Sequence, residues 1–272
     1  MLYSPILSFI RLIILVPWIT IISFCQFVVL CFFKRFFFVF YKFLFFGIRK
    51  IFGIKLKVAG VQETKRVMFI SNHISYLDII ILGSVVNAVF VAKSEIKGWP
   101  IINKLCMLGK TIFIERNNRR SVKKQSVSIK ENMENGLNVI LFPEGTSSDG
   151  SKVLSFKSSL FEVVDHEELR NYKLQPISIS YNKLDGLPLV KNHRPLLAWF
   201  GGMSLAPHVW QFLGLGTSEV NIRFHKSEKF SAFFNRKEAC RYCFERISEQ
   251  VIKDYQLLEV DNKIKLNEFK FL

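Results

Sequence analysis

Apolar and polar positions divide this chain into two unlike parts. From Leu12 to Phe33 (LIILVPWITIISFCQFVVLCFF) no charged side chain interrupts 22 residues. About 20 apolar residues in a helix match the thickness of a bilayer core, so this segment is long enough to span one. Phe36 to Ile48 is shorter, is interrupted by Lys42 and ends in Arg49-Lys50, which predicts a helix lying in the membrane interface. Pro17 can kink the first segment, so a re-entrant hairpin dipping into one leaflet stays open as an alternative to a span.

Beyond these segments the periodicity changes. Short β-rich runs alternate with helical stretches, which predicts an α/β domain with a mixed, partly parallel sheet flanked by helices. The expected division is a membrane-associated helical segment over 1–50 and the α/β domain over 51–272. Strands are predicted at Val67–Ile70, Ala88–Ala92, Thr111–Ile114, Asn138–Phe142, Leu174–Ser180, Leu196–Phe200 and Val220–His225. Helices are predicted at Tyr76–Val86, Trp99–Met107, Arg119–Asn135, Phe156–Val164 and Arg236–Leu257, the last capped by Asn235 with Glu238 three positions on. The segment AWFGGMSLAPHVW (Ala198 to Trp210) has the aromatic content of a membrane-facing or acyl-chain-contacting element, with core packing as the alternative.

Composition sharpens the membrane reading. The chain holds 28 phenylalanines, and FFKRFFFVFYKFLFFG (Phe32 to Gly47) concentrates them beyond what a soluble fold would gather in one place. The net charge of +16 fits either nucleic acid or an anionic surface. No nucleic-acid reader motif or zinc pattern is present, whereas beside an apolar N-terminus each Lys or Arg near an anionic membrane contributes about 1 kcal/mol. An anionic membrane surface is therefore the expected partner, and nucleic acid is not. Lys34, Arg35, Lys42, Arg49, Lys50, Lys55 and Lys57 all follow the first apolar segment, which predicts that the rest of the chain faces the cytoplasm from the inner membrane. A secretory signal is disfavoured because the first ten residues hold no basic cluster and no A-x-A-like site follows.

Five cysteines, an odd number in a chain read as cytoplasmic, imply no disulfide framework. Cys240 and Cys243 form a lone CxxC inside a predicted helix and read as ordinary helix residues. His166, His193, His208 and His225 are scattered, without ligand spacing, so no metal site is expected.

Candidate chemistry gathers in loops after strands, where ligand sites in open α/β sheets collect. The stretch SNHISYLD (Ser71 to Asp78) follows an apolar run and puts His73 five residues before Asp78. On a continuous helix the two side chains would diverge by about 140°. Ser75 as N-cap, with Asp78 as the acid of an S-x-x-D capping box, supplies the needed change of direction. Asp78 is then either a plain cap or the acceptor that orients His73 as a neutral base.

Three further stretches accompany it: GKTIFIER (Gly109 to Arg116), LFPEGTSS (Leu141 to Ser148) and LQPISIS (Leu174 to Ser180). In content and order the four resemble the motif blocks of the glycerolipid acyltransferase family, whose bacterial members include 1-acylglycerol-3-phosphate acyltransferases. The resemblance covers about Val67 to Tyr181 and extends to the hydrophobic N-terminus. It implies an enzyme that moves a fatty acyl group from acyl-CoA or acyl-ACP, used as a donor substrate and not as a bound cofactor, to a lysolipid hydroxyl. Carried over residue by residue, His73 would be the base and Asp78 its orienting acid. Arg116 would pair with a substrate phosphate, and Glu144, Gly145 and Thr146 would bind the acceptor. Asn72, Gly109, Pro143, Lys157 and Pro176 would support them. Glu144 is the hard case, because a carboxylate repels a phosphate; it either meets a glycerol hydroxyl or fixes its loop. The expected reaction is acylation of the sn-2 hydroxyl of 1-acyl-sn-glycerol 3-phosphate to phosphatidic acid. The alternatives are another lysolipid acceptor such as lyso-ornithine lipid, or a non-catalytic membrane lipid-binding protein.

Overall fold

A computed structural model of the chain describes residues 3–114 and 119–268. In chain order the elements are α1 (Pro5–Phe32), α2 (Phe37–Ile51), β1 (Ile54–Ala59), β2 (Val67–Ser71), α3 (Leu77–Val85), β3 (Val89–Lys93), α4 (Pro100–Leu108), β4 (Ile112–Ile114), α5 (Arg119–Glu134), β5 (Val139–Leu141), β6 (Lys173–Leu184), β7 (Leu187–Pro188), α6 (Leu205–Leu213), β8 (Ser218–Phe224), β9 (Glu228–Lys229) and α7 (Arg236–Glu268).

The strands form one sheet in the order β1-β8-β6-β2-β5-β3-β4, with β7 and β9 pairing on β6. From β6 through β2, β5 and β3 to β4 every neighbour is parallel; β8 runs antiparallel to β6 and parallel to β1. The prediction of a mixed, partly parallel sheet flanked by helices describes this architecture. β2, β3 and β5 are mostly apolar, as strands covered by helices on both faces are, and all five residues of β2 are buried.

Most predicted elements appear within a few residues of their expected ends; α7 continues past Leu257 to Glu268, α6, β7 and β9 were not expected, and three further differences bear on the site and its surroundings. Leu196–Phe200 is not a strand: a 3-10 turn over Lys191–Leu196 carries Pro195, which has no N–H to give a ladder. The amides of Leu197 and Ala198 turn back to Arg194 O, and that of Trp199 goes to Ile74 O. Phe156–Val164 is not α-helical: Ser158–Asp165 winds as 3-10 turns that bury Leu160, Phe161, Val163 and Val164. β1 was not expected; its lysines at 55 and 57 read as a basic flank, whereas they are the exposed positions of an edge strand, a common device for blocking further pairing.

α1 begins on a Ser4 cap with Pro5 in its first turn and continues through Pro17. It lies along the domain instead of projecting from it. Ser8, Leu15, Ile22, Gln26 and Val29 form a buried seam at helical spacing. Near one end the Arg11 guanidinium donates to the carbonyls of Leu213 (3.1 Å), Leu215 (2.6 Å) and Gly216 (3.0 Å), capping α6. Near the other, Gln26 Nε2 donates to Leu108 O at the end of α4 (3.3 Å). Between them Trp18 Nε1 donates to Leu44 O of α2 (3.1 Å). The opposite face of α1 leaves Phe9, Ile13, Phe24 and Phe27 more than half exposed.

Candidate active site

The parallel register of β2 and β5 sets up the site. Met68, Phe69 and Ile70 face Val139, Ile140 and Leu141, an offset that carried past the ladder brings residue 73 beside residue 144. The His73 N–H indeed donates to Glu144 Oε1 at 2.7 Å. Both residues leave the sheet at its carboxyl edge, where parallel α/β sheets hold their ligands.

Past Ser71 the chain makes one irregular turn before α3, and that turn wraps around Asp78. His73 Nδ1 lies 2.8 Å from Asp78 Oδ2. The amides of Ile74 (2.7 Å) and Ser75 (2.9 Å) donate to the same oxygen. Tyr181 Oη donates to Oδ1 at 2.7 Å. Asp78 is fully buried, and these four donors satisfy a carboxylate that solvent does not reach. Because an ionised carboxylate only accepts, the hydrogen of the His73–Asp78 contact sits on Nδ1. The His73 side chain is 18% exposed, and Nε2 has no hydrogen-bond partner among the described residues. The expected capping box is half formed. Asp78 reaches the Ser75 amide, but the helix starts at Leu77 with Tyr76 at its cap position, and Ser75 Oγ has no partner among the described residues. Gathering donors around Asp78 has taken precedence over the cap.

The imidazole is held from behind. It stacks on Phe142, with ring centroids 4.3 Å apart and planes 21° from parallel. His73 O accepts from Ser148 N (2.9 Å) and Ser148 Oγ (3.3 Å), while Ile74 O accepts from Trp199 N (3.1 Å). Asn72 extends the β2–β6 pairing with its side chain, donating to Ile179 O (3.0 Å) and accepting from Ile179 N (2.9 Å). Pro176 sits in the β6 ladder opposite Ile70, and its carbonyl accepts from His225 N.

Glu144 is 3% exposed. Its Oε1 takes the His73 amide and its Oε2 the Leu154 amide at 3.0 Å, so the carboxyl group ties two loops together, the second of the two roles open to it. Burial pushes this carboxyl up to about 8, the two amide donors pull it down, and the nearby Asp78 charge pushes it up again. Gly145 has φ +77, a left-handed conformation that glycine adopts without penalty, and its amide donates to Phe142 O inside the turn. Thr146 stands exposed on the next bend, and Pro143 is buried and accepts the Lys157 amide through its carbonyl. The Lys157 side chain is exposed. Gly109 ends α4 under the ring of Tyr41, where an added Cβ would come within 3.2 Å; it belongs to the α2–α4 packing and not to the histidine loop. Arg116 lies outside the described residues.

Sequence reasoning missed three participants: Tyr181, Ser148 and Phe142. None of the three carried a short-range signal: Tyr181 lies in β6 just past the last block, where an aromatic reads as core.

An imidazole oriented by a buried acid and partly open at its second nitrogen is an arrangement suited to enzymes that activate a hydroxyl group for attack. Comparison with known proteins identifies which one. A model of the Acyltransferase family matches residues 55–180. The lyso-ornithine lipid O-acyltransferase of Rhizobium meliloti (strain 1021) is 37% identical over 204 residues, 73% of this chain and 70% of that protein. The 1-acyl-sn-glycerol-3-phosphate acyltransferase of Neisseria gonorrhoeae is 36% identical over 110 residues, 40% of this chain and 43% of that one. The crystal structure of the 1-acyl-sn-glycerophosphate acyltransferase of Thermotoga maritima shares the fold, with a TM-score of 0.65 at 21% identity over 91% of this chain and 94% of that one. The chain belongs to the glycerolipid acyltransferase family and is an acyltransferase.

Proposed function

We propose that this enzyme transfers a fatty acyl group from a thioester of coenzyme A or acyl carrier protein to the free hydroxyl of a lysolipid, with lyso-ornithine lipid as the preferred acceptor. The carrying observation is the 2.8 Å contact between His73 Nδ1 and Asp78 Oδ2, which leaves Nε2 as the base. The acceptor preference follows the relative named for lyso-ornithine lipid, which aligns over 73% of the chain, against 40% for the one named for the glycerol phosphate.

In the reaction, Nε2 takes the proton of the acceptor hydroxyl as its oxygen attacks the thioester carbonyl. The imidazolium so formed is stabilised by Asp78. When the tetrahedral intermediate collapses, the C–S bond breaks and the thiolate leaves with the proton from Nε2. A positioned base contributes roughly 10²- to 10⁴-fold.

The enzyme works from within one leaflet. Arg11 and Gln26 are 15 residues apart, about 22 Å along a helix, and both are tied to backbone of the α/β domain. A helix crossing a core of roughly 30 Å would drag those attachment points deep into hydrocarbon. Lying flat, α1 instead offers Phe9, Ile13, Phe24 and Phe27 to the lipid, and the basic residues after it favour the cytoplasmic face.

The test is a competition assay with purified enzyme, offering lysophosphatidate and lyso-ornithine lipid together with a labelled acyl thioester. Preferential labelling of the ornithine lipid is expected. Exclusive labelling of phosphatidic acid would return the acceptor to the glycerol phosphate.

A further inference from the structure

Away from the histidine, two grooves meet on the outer side of α2. The first, about 440 Å³, is lined by Phe38, Phe43 and Phe46 of α2 and by Ser84 and Asn87 around the end of α3. The second, about 620 Å³, is lined by Arg49, Lys50 and Lys55, with Leu56 and Thr217 on its floor. They share no lining residue but are neighbours: the Phe46 ring of the first lies against the Arg49 guanidinium (5.1 Å) and the Lys50 ammonium (5.7 Å) of the second. Ser84 lines the first and its neighbour Val85 the second. None of His73, Asp78 or Glu144 lines either one.

The charge in the second groove is unbalanced. Arg49 donates through Nη1 to Ile54 O at 3.0 Å, yet its Nε is buried with no partner among the described residues. No carboxylate lines this groove; the nearest ion pair, Lys57 with Glu219, lies outside the lining. Three cations lining one groove with no carboxylate among them call for an anion, and a phosphate oxygen is the usual complement to clustered Arg and Lys. The adjoining half is mostly apolar and partly exposed, with Phe38, Val39, Phe43 and Phe46 suited to hydrocarbon and Lys42 as its one cation.

We propose that this composite groove is a non-catalytic binding site for one anionic phospholipid, its phosphate between Arg49, Lys50 and Lys55 and one acyl chain along Phe38, Phe43 and Phe46. A lipid fits better than a protein partner because the groove is continuous with α2 and with the exposed apolar face beside it. The inference rests on the membrane association proposed above. It gives that association a headgroup preference, holding α2 at the depth where its cationic last turn meets phosphate.

Native mass spectrometry of the purified protein released from detergent micelles tests it, with phosphatidylglycerol, phosphatidylcholine and glycerol phosphate titrated separately. One phosphatidylglycerol should be retained in preference to phosphatidylcholine, and glycerol phosphate should bind far more weakly than either lipid. Arg49→Gln with Lys50→Gln should weaken phosphatidylglycerol retention by roughly 25-fold, about fivefold per cation, while Phe43→Ser should weaken both lipids. Should the double variant fold poorly, Lys50→Gln alone, at an exposed position, should still cost about fivefold. Unchanged retention in the cation variants, or equal retention of the two lipids by the parent, overturns the charged half. Glycerol phosphate binding as tightly as the lipid overturns the chain-binding half. Vesicle flotation of the parent is read separately, so that a failure to associate with bilayers is distinguished from an empty groove in micelles.

Discussion

Tyr181 Oη donates a 2.7 Å hydrogen bond to Asp78 Oδ1, the carboxylate oxygen that His73 does not use. The tyrosine is nearly fully buried, and burial beside the Asp78 charge holds its phenol well above the ordinary range. It therefore remains a donor at every working pH and fixes the carboxylate plane from the sheet side.

Tyr181→Phe removes that donor and leaves Oδ1 buried and unpaired, at about 1–3 kcal/mol. Since Tyr181 reaches the imidazole only through Asp78, kcat should fall about tenfold with little change in KM for either substrate. Steady-state kinetics decide the matter. A rise in KM at constant kcat would mean that Tyr181 lines a substrate pocket instead of positioning the acid.

The uneven distribution of donors on Asp78 makes its two obvious substitutions behave differently. Oδ2 receives three N–H groups and Oδ1 one hydroxyl. In Asp78→Asn the amide oxygen belongs at the three-donor position and the NH₂ faces Tyr181 Oη, which can accept. His73 then keeps its tautomer and loses only the charge that stabilises its protonated form, so kcat should drop on the order of 10²-fold. Asp78→Ala strands all three N–H groups and should approach His73→Ala, toward the upper end of the roughly 10²- to 10⁴-fold that a positioned base contributes. If Asp78→Asn is as inactive as His73→Ala, the amide sits the other way and imposes the wrong tautomer.

The site was legible where local chemistry forced a change of direction and illegible where distant strands met. N-H-x-x-x-x-D separates its two functional residues too far for one helix face, so the turn between them followed from spacing. The pairing of residues 73 and 144 depends on a β2–β5 register set by buried apolar packing, which no short motif encodes. Tyr181 was hidden for the same reason, since an aromatic in a central strand reads as core. The sheet was largely visible in its apolar runs, but β1 escaped notice because Lys55 and Lys57 mimic a membrane flank. Leu196–Phe200 reads as a strand in sequence, but the Arg194 and Ile74 carbonyls take its amides.

Glu144 should leave a pH signature in stability. Its carboxyl is raised from an ordinary 4.5 to about 8 in the folded protein. Between those values the folded state therefore keeps a proton that the unfolded chain has released. The contribution is fully present below about 4.5 and is lost as pH rises through 8. Glu144→Gln cannot titrate, and its NH₂ must oppose one of two amide donors, so the variant is less stable throughout. The gap in melting temperature between parent and variant should be widest near pH 5 and narrow toward pH 8. A gap that grows with pH would mean that Glu144 is held as the carboxylate by its two N–H donors.

The attachment of α1 can be tested at a single close approach. A Cβ on Gly47 would fall 2.0 Å from Trp18 Cε2 and 2.3 Å from its Nε1. That indole cannot swing clear cheaply, because Nε1 donates to Leu44 O and the ring packs on Phe43 at 4.9 Å. Gly47→Ala must therefore push α1 off α2, a form of overpacking worth about 1–3 kcal/mol, or roughly 2–5 °C in melting temperature for a chain of this size. Gly98→Ala is the control, since a Cβ there meets nothing within 4 Å and should leave the melt nearly unchanged. Because α1 also holds the ends of α4 and α6, Gly47→Ala should lower vesicle binding in step with stability, measured by flotation and by melting in detergent. Equal melting of the two alanine variants would show that α1 does not rest on α2 through this contact, and the in-plane placement of the helix would lose its main support.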